Sequence, residues 1–344
     1  MIERISGPGL AIDFGTRSTQ VYAKGRGVVL AEPSLAAVDC ESGLVIAAGR
    51  AAIKTLQDES AGLEAVWPLA HGVVADFEVA EQMLSYFLRK VRRRVYGVYG
   101  RFFRPRMKPK MLVCVPSGAT DLEVSSARRV VVAAGAREAY TVEGTLAAAI
   151  GAGLVGAELA VDGTRGSMIV DVGGGKTEAA VLSMGEIVAG TSVRIGGDDM
   201  DDAIQSYIRK EHILSIDLQE AERLKIELGS ALPLEEDEFV EVSGVNLLTG
   251  DSKDPKTILV SSTEIHEAIK RFVEAIAEVV RVTLESTPVE LVSDVAEGGI
   301  AVCGGGAQLR LLEDLLRYKT GVPVSVVHDP HKCAVLGAGQ MLGE

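Results

Sequence analysis

The chain is 344 residues long, with 35 Lys and Arg against 48 Asp and Glu, a net charge of -13, 47% hydrophobic residues and only 4% aromatic ones. That length suits two domains of roughly 150 residues better than one core, and the composition excludes a disordered or fibrous chain. The acidic balance excludes general nucleic-acid binding unless one local patch supplies the attraction.

The opening ten residues, MIERISGPGL, carry acid and base but no apolar run, which argues against a secretory signal. The longest stretch free of Asp, Glu, Lys and Arg, residues 144–157, is too short to span a bilayer. A soluble chain, bound at most to a membrane surface, is expected. Cys40, Cys114, Cys303 and Cys333 are scattered without CxxC spacing and are expected as buried free thiols in a reducing compartment.

GLAIDFGTRSTQVYAKGRGVVLAEPS reads as an apolar strand ending in Asp, a turn of small and hydroxyl residues, an alternating strand, a Gly turn and a third strand. Residues 31–70 read as an insertion. Over residues 79–95 the apolar positions 79, 80, 83, 84, 87, 88, 91 and 95 form one helical stripe. The strand KMLVCVPS and an amphipathic helix over 122–134 follow. SMIVDVGGGKTEAAVLSMGEIVAGTS then repeats the opening pattern about 158 residues later. Residues 198–250 read as a second insertion closing on the acidic turn PLEEDE. A helix over 261–286 opens with the capping pattern Ser261-x-x-Glu264, and the strand GIAVCGGG precedes a helix over 309–318. Strands alternating with helices, in two copies, predict an α/β fold.

Each copy places an Asp at a strand end before a tight turn: Asp13, Gly15, Thr16, Arg17 and Ser18 in the first, and Asp171, Gly173, Gly174, Gly175 and Lys176 in the second. Glycines let backbone N–H groups approach phosphate oxygens, hydroxyls add donors, and a carboxylate beside each turn suits hydrated Mg2+. A single turn of this kind is common hairpin chemistry; two facing turns would clamp one polyphosphate. Gly304, Gly305, Gly306 and Ala307 follow the strand IAVC and open a helix, where small residues would admit a flat base. Glu222 and Lys225 share a helix face at i, i+3, either to bond ribose and base or as a solvated pair.

In this order, AIDFGTRST, VCVPSGATDLE, IVDVGGGKTE, RIGGDDMDDAI and AVCGGGAQLRLL resemble the MreB-type bacterial actin homologues. EPSLAAV, GVVADFEVAEQMLSYFLRKV, LKIELGSALPLEE and LGAGQML extend the resemblance over essentially residues 10–344. It implies an actin-like α/β fold of two duplicated domains, each a mixed sheet flanked by helices, with a nucleotide cleft between them. Domain I would cover residues 1–145, with insertion 31–70 and residues 330–344 packing back on it; domain II would cover 146–329, with insertion 198–250.

The resemblance also implies ATP or ADP with Mg2+, polymerisation into membrane-associated filaments, and a role in cell shape alongside cell-wall or morphogenesis proteins at the inner face of the cell membrane. By resemblance, Thr16, Arg17, Ser18, Gly173, Gly174 and Gly175 bind phosphates, and Asp13 and Asp171 organise Mg2+ and water. Glu222, Lys225, Gly304, Gly305, Gly306 and Ala307 would hold the adenosine, with Gly15, Gly196 and Gly197 as further nucleotide contacts.

Two departures bear on hydrolysis. The family usually reads Glu-Glu-Pro-x-Ala-Ala-Ala before the helix that follows domain I, and its second Glu positions the attacking water. Aligning Ala147, Ala148 and Ala149 puts Gly144 in that place and Thr145 at the Pro. Losing the water-orienting group is expected to lower the rate about 10²- to 10⁴-fold. Adjacent Glu143 would need a backbone shift to substitute. Lys176 stands where the family has Thr after the three glycines, and either meets the γ-phosphate as a point charge or points into solvent. Arg17 and Ser18 replace the usual Ala and Asn. Weak or absent ATP hydrolysis is expected.

Residues 89–110, RKVRRRVYGVYGRFFRPRMKPK, hold ten Lys or Arg and no acid. Arg101, Phe102, Phe103, Arg104 and Arg106 form a candidate contact with anionic lipid. The alternatives are packing of the apolar members and contact with RNA or DNA; no nucleic-acid partner is expected. The rival enzymatic reading is a small-molecule kinase with the same cleft, but no separate sugar-binding motif stands in the chain.

Overall fold

The computed structural model describes residues 9–58, 62–96, 108–155, 165–248 and 255–343. Its first half runs β1 (Gly9–Phe14), β2 (Ser18–Ala23), β3 (Gly27–Pro33), β4 (Ala36–Asp39), β5 (Val45–Ala48), α1 (Arg50–Gln57), β6 (Leu63–Val66), β7 (Leu69–Ala70), β8 (Val73–Val74), α2 (Phe77–Tyr96), β9 (Lys110–Val115), α3 (Asp121–Ala133), β10 (Glu138–Glu143) and α4 (Gly144–Gly151). The second half runs β11 (Ser167–Val172), β12 (Thr177–Ser183), β13 (Glu186–Val193), α5 (Gly197–Glu211), β14 (Leu214–Ser215), α6 (Leu218–Leu228), β15 (Phe239–Asn246), β16 (Pro255–Ser261), α7 (Ser262–Glu285), α8 (Val289–Gly298), β17 (Ile300–Cys303), α9 (Leu312–Thr320), β18 (Val324–Val326) and α10 (Cys333–Gln340).

The repeat seen in the sequence is a repeat of topology. One five-stranded sheet has the order β10-β9-β1-β2-β3, and the other reads β13-β12-β11-β17-β18, the same order from the opposite end. In each, the first strand of the repeat pairs antiparallel with the second and parallel with a strand that arrives much later. Even the irregularities correspond, with a register shift between Val21 and Tyr22 on β2 and between Val181 and Leu182 on β12.

Both central strands are buried on both faces, as expected for strands with helices above and below. Leu10, Ile12 and Phe14 join the core under α2 and α3, while Ala11 faces α4 and α10. On β11, Met168, Val170 and Val172 point toward α7 and Ile169 toward α4. The predicted stripe of α2 is buried at every position named, Val79 to Val95. Each such large side chain contributes about 1.5–3 kcal/mol relative to exposure. The capping pattern of Ser261 with Glu264 is realised on α7, and α3 carries a second capping box, Thr120 with Glu123, not named from the sequence.

The Ala-rich α4 lies between the two sheets. Ala147 and Ile150 face the first, Ala148 and Ala149 the second. Small residues are required because α10 crosses it at backbone distance: a Cβ on Gly337 would stand 1.8 Å from the Ala147 carbonyl oxygen. This crossing fixes the N-terminus of α4, and so position 144, relative to both halves.

Three expectations are corrected. The small sheet of the second half, β14-β15-β16, reaches Ser261 rather than ending near 250, because β15 pairs with β16 along its length. The glycine cluster opens only a 3-10 turn, Gly305–Gln308, and α9 starts at Leu312. Between them Leu311 takes a left-handed φ of 58°, and the Arg310 carbonyl accepts the Ala231 N–H at 2.7 Å, drawing the chain away from helix. Of the four free cysteines, Cys40 is exposed.

Candidate functional site

The turns after β1 and β11 close in the same way. Gly15 N–H donates to the Ser18 carbonyl at 3.1 Å, and Gly173 N–H to the Lys176 carbonyl at 2.8 Å. The tip of the β7–β8 hairpin straps them together, Gly72 N–H donating to Thr16 Oγ1 and His71 Nδ1 bonding the Gly175 carbonyl, each at 2.8 Å. At the start of α5, Gly197 and Asp198 N–H groups bond the Gly173 and Gly174 carbonyls. The loops are held mainly by backbone groups, with Thr16 and His71 each adding one side-chain bond.

Between the halves lies a cleft of about 430 Å³, within the usual range for a small-molecule site. Asp13, Gly15, Thr16, Arg17, Ser18, Asp171, Gly173, Gly174, Gly175, Lys176, Gly197, Glu222, Lys225, Gly304, Gly305 and Gly306 all line it. Sequence reasoning therefore assembled a surface drawn from segments nearly 300 residues apart. Gly304 is in the left-handed region at φ 84°, and a Cβ there would stand 2.3 Å from the Val172 carbonyl oxygen. Only glycine fits.

Two nominated residues stand behind the wall instead. Gly196 packs against Gly174, where a Cβ would lie 2.4 Å from the carbonyl oxygen, and the Ala307 methyl is buried in the second-half core. Glu143 is exposed at the N-cap of α4 and, like Gly144, is not among the lining residues. Although the residue is exposed as a whole, its carboxyl end is partly desolvated, and this, with repulsion from Glu178, raises it above the ordinary range. Arg101, Phe102, Phe103, Arg104 and Arg106 lie outside the described residues.

The floor is electrostatically loaded. Burial, then Asp171, raises Asp13 from 3.8 to about 7 against the opposing pull of Lys176. Burial raises Asp171 to about 6, with Lys176 lowering it and Glu178 raising it. Two half-buried carboxylates on the cleft floor, both raised by desolvation, fit a hydrated divalent cation, which Mg2+ chemistry shares between one or two carboxylates and substrate phosphates. Among the described residues no group of three or more His, Cys, Asp or Glu forms a complete metal cage, so the remaining ligands would be water and phosphate.

Arg17 and Lys176 point into different networks. Arg17 crosses the cleft to Asp198 and to Asp201 at 3.1 Å, and its guanidinium lies 4.7 Å from the Trp67 ring centroid. Asp201, fully buried, also holds Lys225 Nζ at 2.9 Å. Lys225 thus braces α6 against α5, with Gly197 O a second acceptor at 2.9 Å. Lys176 pairs with Glu178, two residues on, and is not solvent-directed. Its side chain is 17% exposed and Glu178 only 1%.

Asp198, Asp201, Trp67, His71 and Gly72 were missed from sequence. Asp198 and Asp201 sit one helical turn apart within RIGGDDMDDAI, a spacing that marks one face of α5. Trp67 and His71 carried no signal.

A model of the MreB/Mbl protein family matches residues 8–344. The cell shape-determining protein MreB of Escherichia coli (strain K12) is 43% identical over 97% of this chain and 92% of its own. MreB5 of Spiroplasma citri, in a crystal structure bound to ADP, superposes with a TM-score of 0.84 at 31% identity, covering 96% of this chain and 95% of that one. A second crystal structure of MreB5 holds AMPPNP, with a TM-score of 0.83 over the same shares. A chain of the MamK double helical filament shares the fold at a TM-score of 0.76 and 19% identity, over 98% of this chain and 99% of its own. The fold is actin-like, and the chain belongs to the MreB/Mbl family.

Proposed function

We propose that the cleft holds ATP or ADP with Mg2+ and that the chain is a filament subunit at the cytoplasmic face of the cell membrane, contributing to cell shape with cell-wall or morphogenesis proteins. The observation that carries this reading is the pair of equivalent turns, closed by the same hydrogen bond, facing one cleft with a half-buried carboxylate beside each. The nucleotides bound by MreB5 support it. Asp13 and Asp171 hold the hydrated cation, the backbone N–H groups of Gly174 and Gly175 take phosphate oxygens, that of Gly173 being used to close the turn, and Glu222 and the glycines at 304–306 take the nucleoside. Bound Mg2+ supplies charge neutralisation on the phosphates.

Hydrolysis is weak or lost because position 144 carries no carboxyl and exposed Glu143 lies outside the cleft lining. Attachment to the membrane is peripheral: among the described residues no helix is long and apolar enough to cross a bilayer, and residues 89–110 concentrate cations beside Phe102 and Phe103. The test is electron microscopy and sedimentation of purified protein with ATP, Mg2+ and vesicles. Filaments that need nucleotide and co-sediment with anionic but not neutral lipid, with phosphate release about 10²-fold or more below an ordinary family member, are expected. Monomers indifferent to ATP would overturn the reading.

A further inference from the structure

The outer part of the Lys176 side chain is held in place. Its Cδ and Cε pass so near Gly72 that a Cβ there would stand 3.0 Å from each. Its ammonium pairs with Glu178, whose other oxygen accepts the Ser117 N–H at 2.8 Å. Ser117 Oγ is in turn 2.5 Å from the hydroxyl of fully buried Thr145, the residue at the family's Pro position. The ammonium is therefore held by a chain of bonds internal to the protein, and it is held beside position 144. A Cβ built on Gly144 lies 3.8 Å from Lys176 Nζ and 3.9 Å from Glu178 Oε2, and meets nothing closer than the Val115 carbonyl oxygen at 3.5 Å.

We propose that Lys176 is a positioning residue that takes over the place of the missing carboxyl, so that the Lys176–Glu178 pair suppresses hydrolysis independently of Gly144. The proposal rests on the nucleotide reading above. In hydrolysis a water oxygen bonds to the γ-phosphorus as the bond to the β,γ-bridging oxygen breaks. A water proton passes to a phosphate oxygen, giving ADP and inorganic phosphate. Orienting that water requires a lone pair that accepts its hydrogen. An ammonium has three donors and no acceptor, so it attracts phosphate oxygens and leaves water unoriented.

Restoring the carboxyl alone would not be enough. Gly144→Glu places an anion where Lys176 stands first in line, and a charge-assisted pair with the ammonium consumes its lone pairs and lowers its basicity. Lys176→Thr alone removes the ammonium and supplies no carboxyl. Only the two changes together recreate a carboxyl at 144 facing a neutral hydroxyl residue at 176.

The full-length chain, both single variants, the double variant and Lys176→Arg are compared by phosphate release and by calorimetry with ADP and AMPPNP. Each single substitution should stay within about three-fold of the starting rate, and the double should rise about 10²-fold. Lys176→Thr should weaken AMPPNP about tenfold more than ADP, while Lys176→Arg keeps the preference; a merely structural role would move both nucleotides alike. Gly144→Glu alone matching the double, or Lys176→Thr binding both nucleotides as the unaltered chain does, overturns this proposal and leaves the nucleotide reading standing. No binding by the unaltered chain overturns both.

Discussion

The turns at residues 15–18 and 173–176 have one backbone design and two wirings. Each carries one cation, Arg17 in the first and Lys176 in the second. Arg17 is tied across the cleft, to Asp198 and Asp201 on the opposite half and against Trp67 on its own. Lys176 is tied locally, to Glu178 on the strand that leaves its own turn. A long-range tie couples the cation to how far the halves stand apart; a local tie sets what one point of the cleft floor can do. Duplication conserved the cradle, and the difference in partners separates closure from chemistry.

The sharpest way to break this contrast is at the partners. Glu178→Ala strips Lys176 of its buried partner and leaves the Ser117 N–H unsatisfied, and should lower stability by about 3–5 kcal/mol in chemical denaturation. Arg17→Ala should lower it by less, about 1–2 kcal/mol, because Asp201 keeps Lys225. It should also speed release of a fluorescent nucleotide, which Glu178→Ala need not do. Equal losses from the two substitutions would erase the distinction.

Acid titration compares the carboxylates behind the turns. Both titrate in the fold above the ordinary 3.8, Asp13 at about 7 and Asp171 at about 6. Protonation therefore stabilises the nucleotide-free fold; the contribution is complete below 3.8 and is lost as pH rises through about 6 to about 7. The melting temperature without nucleotide should fall as pH rises from about 5 to about 7 and level off above that, and Asp13→Asn should flatten the upper part of the fall more than Asp171→Asn. A melting temperature that climbs over this interval in every variant would contradict the assignment. The smallest effect is expected at Glu143→Gln, within about two-fold in phosphate release, since that residue is exposed overall and is not part of the cleft lining.

Much of this was legible in the sequence because it is local. The two strand-turn-strand units, the α2 stripe and the capping pattern at Ser261 depend on near neighbours, and the glycines at 173–175 and 304–306 announce a backbone that must come close to something. What was not legible is pairing at a distance. Nothing near Arg17 names Asp198 or Asp201, and Glu178 sits in the apolar strand TEAAVLS, where its burial is explained only once Ser117 and Lys176 are brought to it. The direction of Lys176 could not be chosen from spacing for the same reason. Cys40 was expected inside because cysteines scattered without CxxC spacing read as buried free thiols; its place between β4 and β5 leaves it exposed.

Calorimetric titration of the purified chain with ATP in the presence of Mg2+ bears most directly on the two-turn cradle. The account predicts saturable association at one site per chain. Heat that never saturates with ligand at about 1 mM, leaving any binding weaker than about -4 kcal/mol, would contradict it.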